Sequence, residues 1–294
     1  MSNIIQKQSK WEILSTIRFR FPKQILIFYI IICIGFCLTN CTKHKQSDST
    51  QYSTDSWNKI KDYFNPPTIY KDIYGNYCSL LLLNNGDTVR NATDWSKKRK
   101  EIKETWMNIM GEWPPIIKDQ NLEILDTLKR ENFHQYHIRF YWTPNEQTEG
   151  YLLVPDKKGR KPAIISVFYE PETAIGIGGK PNRDFAYQLT KRGFITLSLG
   201  TTQTTKEKTY SIYYPTINNA SLQPLSALAY AAANAWEVLA KVPDVDSTRI
   251  GIVGHSYGGK WAMFASCLYD KFACAAWSDP GIVFDETKGG YINY

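Results

Sequence analysis

Between residues 122 and 154 apolar and polar positions alternate with the period of two that a half-buried strand requires. Three such stretches, 122–128, 133–142 and 149–154, are rich in β-branched and aromatic residues. They are separated by Arg130-Glu131-Asn132 and by the polar residues 143–147, which predicts an antiparallel meander. After Pro155 the rhythm changes. Short apolar runs at 163–168, 194–199, 249–253 and 272–277 have the length of buried strands, and stretches of helical period lie at 183–192, 222–241 and 257–268. The second of these helices is rich in alanine and carries Pro224 in its first turn, where a missing N–H costs nothing. Strands alternating with helices predict right-handed crossovers and a parallel sheet, joined on one side to the antiparallel strands.

Upstream, Asp94 is placed to cap a helix over 94–110 whose apolar positions Ile102, Trp106, Ile109 and Met110 form one stripe and which stops at Gly111, before Pro114-Pro115. Its Lys97-Lys98-Arg99-Lys100 run reads as a solvated face. Residues 57–121 thus form a lead-in to a domain over 122–294.

The first residues have a different composition. Basic residues through Lys23 precede an apolar run from Ile25 to Leu38, about as long as the core of an export signal and short for a membrane span. The run ends in Leu38-Thr39-Asn40-Cys41, which resembles the lipobox of bacterial lipoproteins, where cleavage precedes a cysteine that then receives lipid. The expectation is a signal peptide over 1–40, a lipid on Cys41 holding the protein to a membrane of the bacterial cell envelope, and a polar tether over 41–56 too poor in apolar residues to fold. An uncleaved anchor and a buried helix are the alternatives.

Charge adds little to this picture. Of the formal +7, residues 1–40 hold five basic side chains against Glu12 alone, which leaves +3 on the remainder with no basic stripe and no case for nucleic acid. Cys33 and Cys37 lie in the apolar run, and Cys78, Cys267 and Cys274 have no paired spacing, so neither a zinc site nor a disulfide scaffold is expected. Burial as small hydrophobes is the expectation for these three, with one bridge as the alternative.

The chemistry lies at Gly254-His255-Ser256-Tyr257-Gly258, a G-x-S-x-G sequence with a buried strand before it and a helix after it. A serine at so sharp a turn takes strained backbone angles, needs small residues at Gly254 and Gly258, and projects its hydroxyl above the sheet. With Phe168-Tyr169-Glu170-Pro171-Glu172 and Arg183-Asp184-Phe185-Ala186, this elbow carries a resemblance to the α/β-hydrolase superfamily. Within that superfamily the chain is similar to secreted bacterial esterases of the dienelactone hydrolase, acetylxylan esterase and glucuronoyl esterase types, over residues 94–294.

The resemblance implies an α/β fold with a mostly parallel sheet and antiparallel N-terminal strands. It implies Ser256 as nucleophile and an oxyanion hole formed by the backbone N–H groups of Tyr257 and of the Phe168–Glu170 stretch, centred on Tyr169. It also implies an acid and then a histidine after the serine. Asp279 is the acid candidate, with a turn residue in Ser278-Asp279-Pro280-Gly281 as the competing reading. None of His44, His134, His137 and His255 follows Ser256; His134 and His137 read as structural residues on opposite strand faces, and His255 as packing on the sheet. The sequence is therefore read as a C-terminally truncated hydrolase lacking the last strands and helices. The expected activity is hydrolysis of a carbohydrate ester or lactone through an acyl-enzyme, without metal or organic cofactor and with little turnover in these 294 residues. A non-catalytic, carbohydrate-binding surface lipoprotein and a serine peptidase of the same fold are the alternatives. Gly176-Ile177-Gly178-Gly179-Lys180-Pro181 has proline at its sixth position and no lysine-serine pair after it, so it is not read as a nucleotide loop.

Overall fold

The computed structural model describes residues 48–281 apart from 66, 74, 76, 77, 209 and 210. The apolar run at 25–38, His44 and the lipid-site candidate Cys41 lie outside the described residues, as do 282–294. Contacts divide the chain into two units, 1–77 and 78–294. Among the described residues no helix is long and apolar enough to cross a membrane.

In the first unit helix α1 (Asp48–Ile60) is followed by single 3-10 turns at Lys61–Phe64 and Thr68–Tyr70. The helix runs through residues 48–56, which the sequence assigned to an unfolded tether. A segment too polar for a core can still close its own i to i−4 hydrogen bonds, and Lys59 in the last turn suits the carbonyl end of the helix. The rings of Trp57 and Phe64 meet at 5.2 Å, and both residues are exposed.

The second unit begins with a turn closed by a bridge between Leu82 and Thr88 and continues into α2 (Ala92–Met110). The cap is Asn91 and not Asp94. Asn91 Oδ1 accepts from the Asp94 N–H at 3.0 Å, while Asp94 Oδ2 accepts from the Asn91 side chain at 2.9 Å and the Arg90 N–H at 3.3 Å, so two capping residues share one helix start. The apolar stripe is only partly used: Met110 is buried, whereas Trp106 and Ile109 are exposed. The basic run is not wholly solvated either. Arg99 donates to the Cys267 carbonyl at 2.7 Å, and Lys103 pairs with Asp270 at 2.8 Å, tying α2 to a helix far along the chain.

One seven-stranded sheet follows, in the order β1-β2-β3-β5-β4-β6-β7. β1 (Glu123–Lys129), β2 (Phe133–Thr143) and β3 (Glu146–Pro155) form the expected meander, and β3 pairs antiparallel with β5 (Ile195–Gly200). From there β5, β4 (Lys161–Phe168), β6 (Val245–His255) and β7 (Cys274–Ser278) run parallel. Both faces are covered. Short helices α3 (Pro171–Ala174) and α4 (Phe185–Lys191) close one face over Phe133, Leu153 and Ile175. On the other, α6 (Pro224–Leu239) and α7 (Tyr257–Leu268) pack on Ile138, Ile165 and Ile252. α5 (Thr202–Lys206) caps the end of β5. β2 serves both layers: Phe133 belongs to one core, and Ile138, Phe140 and Trp142, of opposite parity, to the other. α6 is buried along nearly its whole length, and its Asn234 is satisfied twice, by the Ile117 N–H and the Trp142 carbonyl.

The crossovers from β4 lead to β5 on one side, and β6 lies on the other, so the strand order reverses at β4. In open α/β sheets the crevice at the carboxyl ends of such strands is where ligands are held. The three cysteines expected in the core are instead exposed free thiols, because Cys267 sits on the outer side of α7 and Cys274 on the outermost strand.

Candidate active site

β6 ends at His255 and α7 begins at Tyr257, which leaves Ser256 alone to make the turn. It does so at φ 55° and ψ −119°, in the left-handed half of the map that a side chain disfavours, at a cost of about 1–3 kcal/mol that the surroundings must offset. They do so by hydrogen bonds and by closeness. The Ser256 N–H donates to the Ser278 carbonyl at 2.9 Å, and its own carbonyl accepts from the Lys260 N–H at 3.2 Å. Strand and helix approach so tightly that a Cβ on Gly254 would stand 1.9 Å from the Gly258 carbonyl oxygen, and one on Gly258 would stand 2.0 Å from that of Val167. Only glycine fits at either place.

Val167 is paired with Gly254, so the end of β4 delivers Phe168 and Tyr169 beside the serine. Tyr169 arrives with its side chain as well as its backbone: its phenol oxygen lies 3.1 Å from Ser256 Oγ. Its ring packs on that of Tyr257 at 5.2 Å, and the Tyr257 hydroxyl receives a hydrogen bond from Thr201 at 3.3 Å. Tyr257 is the first residue of α7, and N–H groups of a first turn point out along the axis, toward the serine's side of the cleft. Ser256 itself is half-buried, within reach of a ligand in the crevice.

The Gly176–Pro181 stretch, set aside as a nucleotide loop, has a structural task. Gly178 fits against Thr173, and Lys180 pairs with Glu170 while its ammonium lies 5.4 Å from the Phe168 ring centre. The strand exit at 168–170 is therefore tied to this loop by an ion pair.

Asp279 and His255 are brought together beside Ser278. His255 stacks on Phe168, and its Nδ1 meets Ser278 Oγ at 2.7 Å and Asp279 Oδ2 at 3.9 Å. Asp279 takes φ 45° in its turn, and its side chain is 86% exposed. His134 and His137 pair with Asp156 and Glu149 on the meander. Among the described residues no imidazole is hydrogen-bonded to Ser256.

Sequence reasoning missed two groups. The Tyr169 hydroxyl is one, since nothing local announces where a tyrosine tip will land. The other is Lys260, one turn into α7, which is 4% exposed and whose ammonium burial pushes to a lower pKa. A lysine four places after the serine, on a helix otherwise apolar at its buried positions, is a signal that could have been read. Among the described residues there is no cluster of side chains suited to a metal.

No family model matches the chain, and no curated protein matches it. Among solved structures it is similar to a glucuronoyl esterase from Solibacter usitatus, with a TM-score of 0.57 and 19% identity over 68% of this chain and 63% of that one. A protein of Bacteroides fragilis assigned as an acetyl xylan esterase gives a TM-score of 0.54 and 16% identity over 62% of this chain and 53% of that one. A glucuronoyl esterase from Teredinibacter turnerae gives 0.51 and 16% over 67% and 55%. The chain thus spans under two thirds of the length of each of these proteins. At such identities the likeness is one of fold, and with the sheet order and the elbow it assigns the chain an α/β-hydrolase fold.

Proposed function

We propose that this chain is the nucleophile-bearing body of a serine esterase that hydrolyses a carboxylic ester, with a carbohydrate ester or a lactone as substrate. The observation that carries the reading is the backbone of Ser256, a non-glycine residue held at φ 55° between a buried strand and a buried helix. Strain of this kind persists where a side chain must be presented, and here it presents an oxygen at the switch point of the sheet. Ser256 Oγ attacks the ester carbonyl carbon and gives its proton to a base. The negative carbonyl oxygen is received by the Tyr257 N–H and the Tyr169 hydroxyl, the alcohol departs with a proton, and water releases the acid from the acyl-enzyme. The printed esterase activities of the fold neighbours agree with an ester substrate. Export on a lipid at Cys41 fits a polymer met outside the cell.

A second reading, a carbohydrate-binding protein that no longer turns over its ligand, is favoured by His255, the imidazole adjacent to Ser256, whose Nδ1 is engaged with Ser278 Oγ. One experiment separates the two. The 294-residue chain is treated with a fluorophosphonate probe and with p-nitrophenyl acetate, with and without free imidazole, beside Ser256→Ala. The esterase reading expects slow labelling that imidazole accelerates and that Ser256→Ala abolishes. A folded chain that imidazole leaves unlabelled overturns it in favour of the binding protein.

A further inference from the structure

In the first unit every described residue from 54 to 73 is exposed. Large apolar side chains are frequent among them: Trp57, Ile60, Tyr63 and Phe64 in α1 and the turn after it, then Ile69, Tyr70 and Ile73. Their exposure runs from 45% at Ile60 to 87% at Tyr63. A soluble surface scatters such residues singly and seldom gathers them into one stretch, so this stretch has something to face.

The apolar residues are ordered along the helix. Ile60 stands three places after Trp57 and Phe64 four places after Ile60, which puts all three on one side. The 5.2 Å contact between the Trp57 and Phe64 rings carries that stripe through the turn that follows the helix. Asp55, Lys59 and Asp62 repeat at the same spacing on the other side. At 13 residues α1 is about 20 Å long, against a hydrocarbon core of about 30 Å, so it can lie on a bilayer and cannot cross one.

Charge narrows what the stripe faces. Residues 54–73 hold Lys59, Lys61 and Lys71 against Asp55, Asp62 and Asp72, a balance of zero. A polyanion or an acidic protein therefore finds no net field here, and the attraction comes from apolar area. Tryptophan and tyrosine, apolar rings with a polar tip, settle where headgroups meet acyl chains, and lysine stems reach from there to water.

Reach favours a bilayer over any other apolar partner. Seven residues lead from Cys41 to Asp48, at most about 25 Å of chain whatever its conformation. With a lipid on Cys41, or with the apolar run Ile25–Leu38 kept in the membrane, α1 begins within that distance of the membrane surface. Contact with the bilayer is then an event within one tethered molecule, at an effective concentration that a free partner does not match.

We propose that residues 57–73 are a membrane-docking segment, lying in the headgroup boundary with Trp57, Ile60 and Phe64 toward the acyl chains, as a second contact beside the N-terminal anchor. The proposal rests on the export reading for its nearness to a membrane, and it is independent of the esterase reading.

The test is photo-crosslinking of the full chain, synthesised in the presence of vesicles of phosphatidylethanolamine and phosphatidylglycerol that contain a phospholipid with a diazirine on one acyl chain. Mass spectrometry then places the cross-links along the sequence. They are expected at 57–73 as well as at 25–41, and unchanged between roughly 0.1 M and roughly 1 M salt. The triple variant Trp57→Ser, Ile60→Ser, Phe64→Ser should lower those at 57–73 about tenfold or more and leave those at 25–41 as they were. A second variant, Ile69→Ser with Ile73→Ser, gives the same readout without touching α1. Cross-links confined to 25–41 overturn the proposal, as do cross-links at 57–73 that both variants leave unchanged or that high salt abolishes. Cross-links at 57–73 with none at 25–41 sink the anchor reading and leave the docking segment standing.

Discussion

The hydroxyl oxygens of Tyr169 and Ser256 stand 3.1 Å apart, joining the end of β4 to the turn after β6. A donor so near the nucleophile lies within reach of the oxygen that becomes negative when an ester carbonyl is attacked. Losing one such donor commonly slows acyl transfer roughly a hundredfold or more. Tyr169→Phe is therefore expected to slow imidazole-assisted labelling of Ser256 by about that factor while leaving thermal stability nearly unchanged. Equal labelling rates in the two proteins would place the phenol outside the reaction.

The elbow depends on two missing side chains. Gly258→Ala puts a methyl group 2.0 Å from the Val167 carbonyl oxygen, backbone that has no flexible end to yield. Overpacking of this kind costs about 1–3 kcal/mol and occasionally more. A fall in Tm of about 2–12 °C is expected at roughly 2–4 °C per kcal/mol. An unchanged melting curve would show that α7 does not approach β4 as described.

At the start of α2 the cap is Asn91. Asn91→Ala removes the acceptor for the Asp94 N–H and should cost about 1 kcal/mol. Asp94→Ala is expected to cost less, since it removes acceptors of Arg90 and Asn91 and an exposed ion pair with Lys97. Denaturant midpoints of the two variants, compared at equal m, check the order.

Asp246 carries an acid-side signature. Thr248 and Arg249 bond its carboxylate and hold its pKa at about 2, below the ordinary 3.8. The folded protein thus binds this proton less readily than the unfolded chain does. The contribution is whole above the ordinary value and fades as pH falls toward 2. Asp246→Asn should flatten stability between pH 4 and pH 2 without changing its course from pH 6 to pH 8, as followed by urea unfolding at each pH.

How much of this was readable in the sequence depends on how local each cause is. The elbow was legible because strand, strained serine, two glycines and helix are consecutive. The alternation of β2 predicted its strand, and the apolar runs at 163–168 and 249–253 had the shortness of parallel strands. Asn91 and Asp94 are both good caps three places apart, and only the hydrogen bonds choose between them. Arg99 was assigned to solvent because its neighbours are lysines; its partner, the Cys267 carbonyl, is 168 residues away. Cys274 resembled a core residue because its strand is apolar, and the strand's place at the margin was not written in its own residues. The position of Tyr169 needed the crossovers before it could be connected to the serine, whereas Lys260 stands on the serine's own helix and its burial could have been read.

β7 has one neighbour, β6, among the described residues, and Trp277 and Ala276 on it are exposed. Among the described residues its outer margin is a row of amide and carbonyl groups aligned to receive another strand. Because β6 and β7 run the same way, a strand laid there in parallel would bring whatever loop follows it to the same rim as Ser256. Among the described residues the sheet thus ends, on the serine's side, in a berth for one more strand of the same direction.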